Sequence, residues 1–305
     1  MKNFSKIFVL TFTLMFMSAI VYAEPVRVGS KIDTEGALLG NMIVLVLKDS
    51  GIPVENKTEL GPTNIVRQAI TKGQIDIYPE YTGNGAYIFK DADKTAYKNW
   101  QNGYDDVKKL DYKHNKIVWL QPASANNTWA IAVTDKFAKA NNVKTLEDMA
   151  RYVNEGKQVK MAVSEEFATR PDTLPAFEEA YGFNVEDDQL VILSGGNTAQ
   201  TEKALAQGTS GVNFAMAYGT DGAIMALGLR ILEDTKEVQP VYAPAPIIRE
   251  ETLKAYPQIE SKLNAVFATL DLETLQGLNA KVVVYGVPAA KMAKTYLQDN
   301  GFINK

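Results

Sequence analysis

Hydrophobic positions along the chain keep changing rhythm between the period of a strand and that of a helix. Val26-Arg27-Val28 alternates as a short strand does, and Gly29-Ser30-Lys31 is expected to turn the chain. From about Thr34, Leu38, Leu39, Met42, Ile43, Leu45, Val46 and Leu47 crowd together as in a buried helix. Gly51 can close that helix in the left-handed conformation, and Pro53 forbids its continuation. A second helix from near Thr63 sets Ile65, Val66, Ala69 and Ile70 on one face before Gly73. Ile75 and Ile77 lead a strand up to Tyr78, expected to end at Pro79 because proline cannot donate to a ladder. Strands over Lys116–Leu120, Trp129–Val133 and Val159–Val163 alternate with helices around Thr145–Asn154 and Thr173–Tyr181. The alternation predicts an α/β fold with mostly parallel sheets.

A weak internal echo points to two similar lobes. Ala69-Ile70-Thr71-Lys72-Gly73 precedes a strand that runs into tyrosines and a Thr-Gly turn. Ala204-Leu205-Ala206-Gln207-Gly208 precedes Val212–Ala217, which ends at Tyr218-Gly219-Thr220. Helix-glycine-strand is common in α/β proteins, so the value of the echo is positional. Both copies end in a tyrosine at a strand's carboxyl end, where open α/β sheets bind ligands. Pro240, Pro244 and Pro246 keep Val238 to Arg249 extended, as a crossover between lobes would be. Helices are expected from Glu250 on, including one around Ala289–Asn300.

The first 23 residues change the picture of where the chain works. Lys2 and Lys6, the apolar run Ile7 to Met17 and the small residue of Val21-Tyr22-Ala23 have the layout of a cleavable secretory leader, too short for a membrane span. Cleavage after about Ala23 leaves 282 residues, near the size at which one core divides into two. No later stretch is long and apolar enough to cross a bilayer, and there is no cysteine for a disulfide or a lipid anchor. A periplasmic protein is expected. Without Lys2 and Lys6 the chain carries 30 basic and 36 acidic residues, a balance that argues against nucleic acid or an anionic membrane surface as partner.

The usual catalytic signatures are missing. The one histidine, His114, has polar neighbours and reads as a surface residue. One His and no Cys leave no ordinary zinc site and no Cys–His pair, and no Gly-x-Ser-x-Gly elbow, phosphate loop or dinucleotide fingerprint occurs. Ser194-Gly195-Gly196-Asn197 reads as a turn rather than an anion site. No metal or cofactor is expected. Carboxylates are plentiful, so a glycosidase-type pair stays open. What stands out instead is aromatic residues beside predicted loops: Tyr78, Tyr81, Trp129, Tyr218 and Tyr242.

Four separated segments carry a resemblance. Gly29-Ser30-Lys31, Asp76-Ile77-Tyr78-Pro79-Glu80-Tyr81-Thr82-Gly83, Asn126-Asn127-Thr128-Trp129 and Ala217-Tyr218-Gly219-Thr220-Asp221 resemble, in order and spacing, the OpuAC/ProX-type osmoprotectant-binding proteins, closest to the OsmF branch of that family. The resemblance covers the whole chain after the leader. It implies a type II periplasmic-binding-protein fold, two α/β lobes joined by two crossovers near Thr128–Ala130 and Gln239–Tyr242. Lobe one would take residues 24–128 and 240–305, and lobe two 129–239. It also implies an aromatic box for a trimethylammonium group, with basic and polar groups on a carboxylate. By motif, Tyr81, Trp129, Tyr218 and Tyr242 would form the box. Lys31 and Arg170 would hold the carboxylate, and Asn84 and Asn127 would complete the ligand-binding set. Trp129 stands where the family usually has tyrosine and Asn84 where relatives often have threonine. Taken without the resemblance, Lys31 reads as a solvated lysine and Arg170 as a surface ion-pair partner.

The physics of such a box is general. A quaternary ammonium has no N–H, so acceptors cannot recognise it, whereas its positive methyl surface suits aromatic faces at about 0.5–2 kcal/mol each. Arg170 and Lys31 would add charge-assisted hydrogen bonds to a carboxylate, which ranks glycine betaine above choline. The expected function is therefore capture of a quaternary-ammonium osmoprotectant by a non-catalytic monomer that delivers it to ABC permease subunits in the inner membrane. Another small zwitterion, or a secreted carboxylate-dependent hydrolase, are the alternatives.

Overall fold

The computed structural model describes residues 24–193 and 197–304. The expected leader and the Ser194-Gly195-Gly196 part of the expected turn lie outside the described residues. In chain order the strands are β1 (Val26–Lys31), β2 (Val54–Gly61), β3 (Ile77–Tyr81), β4 (Ile117–Trp119), β5 (Trp129–Thr134), β6 (Met161–Ser164), β7 (Leu190–Leu193), β8 (Phe214–Tyr218), β9 (Leu229–Ile231) and β10 (Pro244–Arg249). They form two sheets, ordered β2-β1-β3-β10-β4 and β7-β6-β8-β5-β9. One plan serves both. Three parallel strands joined through helices come first, then a strand from across a crossover pairs antiparallel with β3 or β8, and a short antiparallel strand closes the edge. The echoed helices, Thr63–Thr71 and Thr198–Gln207, precede the strands in the third place of each sheet.

Local chemistry explains the main helices. Asp33 accepts the Gly36 amide at 2.8 Å and caps Thr34–Asp49, whose apolar side chains enter the core behind the first sheet. Thr145 and Asp148 close a capping box on Leu146–Asn154. Behind the other face of the first sheet, Arg67 is buried against Asp111, which also takes hydrogen bonds from Trp119 Nε1 at 2.8 Å and Asn115 Nδ2 at 2.9 Å.

The structure corrects several expectations. The sheets are mixed rather than mostly parallel, because each strand returning from a crossover inserts in the opposite sense. The chain does not turn at Gly29-Ser30-Lys31: β1 runs on to Lys31, held between β2 and β3. β2, with the sequence Val-Glu-Asn-Lys-Thr-Glu-Leu-Gly, was not foreseen. It is a sheet edge with most side chains solvated, so it shows no buried period, and its charges suit an edge. Ile65 is exposed, while Val66, Ala69 and Ile70 are buried. β3 does not stop at Pro79, because Pro79 faces Pro246 of β10 in the ladder. Neither can donate, so this is a pair that exchanges no hydrogen bonds, and both prolines are accommodated inside the sheet. The Pro-rich stretch is a crossover only in its first part; the rest is β10, an interior strand. His114 is exposed and hydrogen-bonded to Asp91, as expected of a surface residue. Among the described residues no helix is long and apolar enough to cross a membrane.

Truncating Asp111 to Ala strands the Arg67 guanidinium in the core, and we expect a loss of about 3–5 kcal/mol in urea unfolding. A loss below 1 kcal/mol would show that water reaches Arg67 freely.

Candidate functional site

The carboxyl ends of β3 and β8 and the start of β5 meet where the chain passes between the sheets. The passages are tied together: Asn127 N donates to Tyr242 O at 2.9 Å, and Tyr242 N to Asn126 Oδ1 at 2.8 Å. At this junction lies a cavity of about 30 Å³. Tyr81, from the end of β3, lines it with Tyr242 from the second passage. From the other sheet, Trp129 and Tyr218 are cross-strand partners whose ring centroids are 4.6 Å apart. Phe167 backs Trp129 at 5.5 Å. Gly83 is required here by contact, since a Cβ would lie 2.7 Å from the Tyr242 ring. A space of this size holds a water or two, far below the 300–1,000 Å³ of a formed small-molecule pocket, so a ligand the size of a betaine enters only if the rings part.

Lys31, Asn84 and Asn127 also line the cavity, together with Asp33 and Glu166. Lys31 is not solvated. Its ammonium pairs with Glu80 at 2.8 Å and sits 4.6 Å from the centre of the Tyr81 ring. Glu80 has no exposure and also accepts from Tyr78 Oη at 2.6 Å, the Tyr81 amide at 2.8 Å and Asn84 Nδ2 at 2.8 Å. Burial pushes its pKa up, but Lys31 and these donors more than offset that and hold it below the ordinary carboxylate range. Tyr78 therefore stands behind the cavity and supports Tyr81 through Glu80. Asn84 lines the cavity, and its Oδ1 is buried without a hydrogen-bond partner.

Arg170 does not line this cavity. It lines a neighbouring one of about 550 Å³, with Tyr87, Glu166 and Ile192. Glu166 holds it at 2.9 Å and Asp172 at 2.7 Å, and it reaches back to Tyr242 Oη at 3.2 Å. The ion-pair side of the expectation for Arg170 is thus present, but the side chain is buried rather than on the surface.

The sequence did not single out Glu35. Buried on the first turn of its helix, it accepts from Tyr81 Oη at 3.1 Å, Asn127 Nδ2 at 3.1 Å and Asn279 Nδ2 at 2.8 Å. Burial raises its pKa to about 7 against the donors Thr220, Asn279 and Tyr81. Asp221 fixes Tyr218 through its amide at 2.6 Å and in turn faces the buried carboxyl of Glu202. Burial and mutual repulsion push Glu202 far upward, so it stays protonated at neutral pH. Burial also keeps the Tyr81 and Tyr218 hydroxyls protonated well above their ordinary range. The arrangement is a ring of aromatic faces with carboxylates around it, and Lys31, the one cation among the cavity's lining residues, already paired. It suits an organic cation. Among the described residues no acidic or histidine cluster could hold a metal ion.

Known proteins resemble this chain over most of its length. A family model described as the substrate binding domain of ABC-type glycine betaine transport systems, OpuAC, matches residues 24–299. The chain is 58% identical over 280 residues to the glycine betaine-binding protein YehZ of Escherichia coli (strain K12), covering 92% of each. It is 29% identical over 296 residues to the glycine-betaine-binding protein of Pseudomonas aeruginosa, covering 95% of this chain and 92% of that one. The solved structure of apo YehZ superposes with a TM-score of 0.67 over 92% of this chain and 100% of that one.

The Glu202–Asp221 contact gives a pH test. An unfolded glutamate ionises near pH 4.5, whereas the folded one resists, so stability is full below that pH and declines as pH rises. Glu202→Gln cannot ionise. Its melting temperature should match the parent near pH 4.5 and exceed it by pH 8, equivalent to about 1–3 kcal/mol. Parallel profiles would place the charge on Glu202 in the folded protein.

Proposed function

The chain belongs to the OpuAC family of substrate-binding domains of ABC-type glycine betaine transport systems, and we propose that it captures glycine betaine by closing two lobes around the trimethylammonium group. Lobe one comprises residues 24–128 and 240–305, and lobe two residues 129–239. One observation carries this assignment: Trp129 and Tyr218 of one sheet and Tyr81 of the other face a single cavity, with Tyr242 of the second passage. The methyl surface of the cation replaces the contacts these rings make with one another, and the ligand bridges the lobes.

The charge around the cavity refines the assignment. Asp33 and Glu166 line it, and Glu35 lies directly behind Tyr81. This acidic surrounding favours the ammonium end. Lys31 is the contact for the ligand carboxylate, with Asn84 and Asn127 beside it. Its ammonium is shared with Glu80, so the carboxylate adds orientation more than attraction. Arg170 acts from one layer out, holding Tyr242 and closing the side towards Tyr87. The protein performs no chemistry on the ligand. It works as a periplasmic monomer after removal of the leader and presents the closed form to permease subunits in the inner membrane.

Isothermal titration should give saturable one-to-one binding of glycine betaine, ahead of choline, which has no carboxylate for Lys31 to orient, with dimethylglycine weaker and proline weakest, because each lost methyl removes contact with a ring. Proline binding as tightly as glycine betaine would remove the aromatic box from the account. Trp129→Ala should weaken glycine betaine binding about 3- to 30-fold, the worth of one ring, and should also lower the melting temperature of the free protein, since Trp129 is buried against Phe167 and Tyr218. Unaltered affinity would exclude Trp129 from the box.

A further inference from the structure

Most buried carboxylates in this protein have a cation beside them. Asp76 pairs with Arg27 at 2.6 Å, Glu80 with Lys31 at 2.8 Å, and Asp111 with Arg67. Glu202 has none, but it lacks donors as well: one of its oxygens has no partner, and it stays protonated. Glu35, 3% exposed, differs from both kinds. One oxygen accepts from Tyr81 Oη and Asn127 Nδ2, each at 3.1 Å, and the other from Asn279 Nδ2 at 2.8 Å, with the Thr220 hydroxyl completing the set. Donors on both oxygens are what an ionised carboxylate takes, since a protonated one must itself donate. Yet all these partners are neutral, and no ion pair among the described residues includes Glu35.

The missing counter-charge has a place to be. Glu35 does not line the aromatic cavity, but the Tyr81 ring does, and the hydrogen bond from Tyr81 Oη ties that ring to the carboxylate. Burial, and then Glu35 itself, hold the Tyr81 hydroxyl well above its ordinary range, so the negative charge stays on the carboxylate instead of moving to the phenol. A ring whose hydroxyl donates to an anion is polarised by it and presents a more negative face to a cation. The Lys31 ammonium, 4.6 Å from the ring centre, is already taken by Glu80. The other charged and titratable groups facing Glu35 are Asp33 on its own turn and, from the second sheet, Asp221 next to Thr220; neither supplies a positive charge.

We propose that Glu35 is a specificity-determining residue acting through Tyr81: its ionised carboxylate is the counter-charge of the ligand's ammonium, so the site prefers a permanent cation to a neutral group of the same shape, and a proton on Glu35 competes with the ligand. The proposal rests on the trimethylammonium group occupying the aromatic box. The competition is reciprocal, since the factor by which the proton weakens the ligand is the factor by which the ligand weakens the proton. In the free protein burial lifts the Glu35 pKa to about 7 against its donors Thr220, Asn279 and Tyr81. The sign follows. At pH 8 the carboxylate is ionised with or without ligand, and Kd is lowest. As pH falls through 7 the free protein takes up a proton that the ligand must expel, and Kd rises.

Isothermal titration of the full protein with glycine betaine and with 3,3-dimethylbutanoate, its isostere carrying carbon in place of the charged nitrogen, reads both effects. Each compound keeps its carboxylate ionised between about pH 5.5 and 8, so the ratio of the two Kd values isolates the ammonium charge. In the parent the ratio should favour glycine betaine at pH 8 and shrink about tenfold by pH 5.5, nearly all of it through weaker glycine betaine binding. Glu35→Gln, which keeps an acceptor for Tyr81, should show the smaller ratio already at pH 8 and lose most of the pH dependence. A Tyr81 ring merely displaced by the substitution would weaken both compounds alike. A ratio in Glu35→Gln within about twofold of the parent's at pH 8 therefore overturns the proposal. So does a parent ratio that stays constant across the pH range, a result that needs no variant and stands even where Glu35→Gln fails to fold. Saturable binding of neither compound at any pH refutes the ligand assignment, and the proposal with it.

Discussion

A buried carboxylate that must be kept charged organises the first half of the site. Glu80 has no access to water, and its ionised form survives only because Lys31, Tyr78 and Asn84 converge on it together with the Tyr81 amide. Each partner comes from a different constraint. β1 must continue to Lys31, β3 must pass through Pro79 without breaking, and the chain must turn at Thr82-Gly83 to bring Asn84 back. Once those hold, the Tyr81 ring has one place to be. The Lys31 ammonium lies 4.6 Å from the ring centre, and the hydroxyl is held by Glu35.

The second half is built by a different interaction. Trp129 and Tyr218 are neighbours across an antiparallel ladder, so their rings are brought together by register rather than by charge. Asp221 pins the Tyr218 amide, and Asn126 pins that of Tyr242. Two unrelated devices, an ion-centred network and a cross-strand pair, thus deliver aromatic faces to the same point. Each device sits wholly within one sheet with its adjoining loop, or within a passage, so neither needs the other for its geometry. The contact between the two halves is carried above all by the donors around Glu35.

How much of this the sequence revealed depended on how local the cause was. Tyr81, Trp129, Tyr218 and Tyr242 could be found because each adjoins a turn with its own composition, and they do share a cavity. The helices over 34–49, 146–154 and 174–181 follow from apolar period and caps. β2 was hidden because an edge strand with solvated side chains has no hydrophobic pattern to read. Pro79 misled because the rule against proline in a sheet has an exception when the opposite residue, here Pro246, also makes no demand for a donor. Lys31 and Arg170 were identified by type, but their partners Glu80 and Asp172 decide how much field they exert on a ligand, and partners are a tertiary fact. Glu35 was out of reach: Asn279, one of its donors, is 244 positions away.

The place of β10 bears on how the molecule is made. It lies between β3 and β4, yet it arrives after the whole second lobe, and the contact between Thr82 and Ala243 that anchors its start joins residues 161 positions apart. A chain emerging from its amino end can complete the second sheet from contiguous sequence but must leave a gap in the first between β3 and β4. Closing that gap carries a large loop-closure cost, which slows folding. A sheet with an interior strand that is the last of its five to be synthesised stays unfinished until most of the chain has been made, a built-in delay.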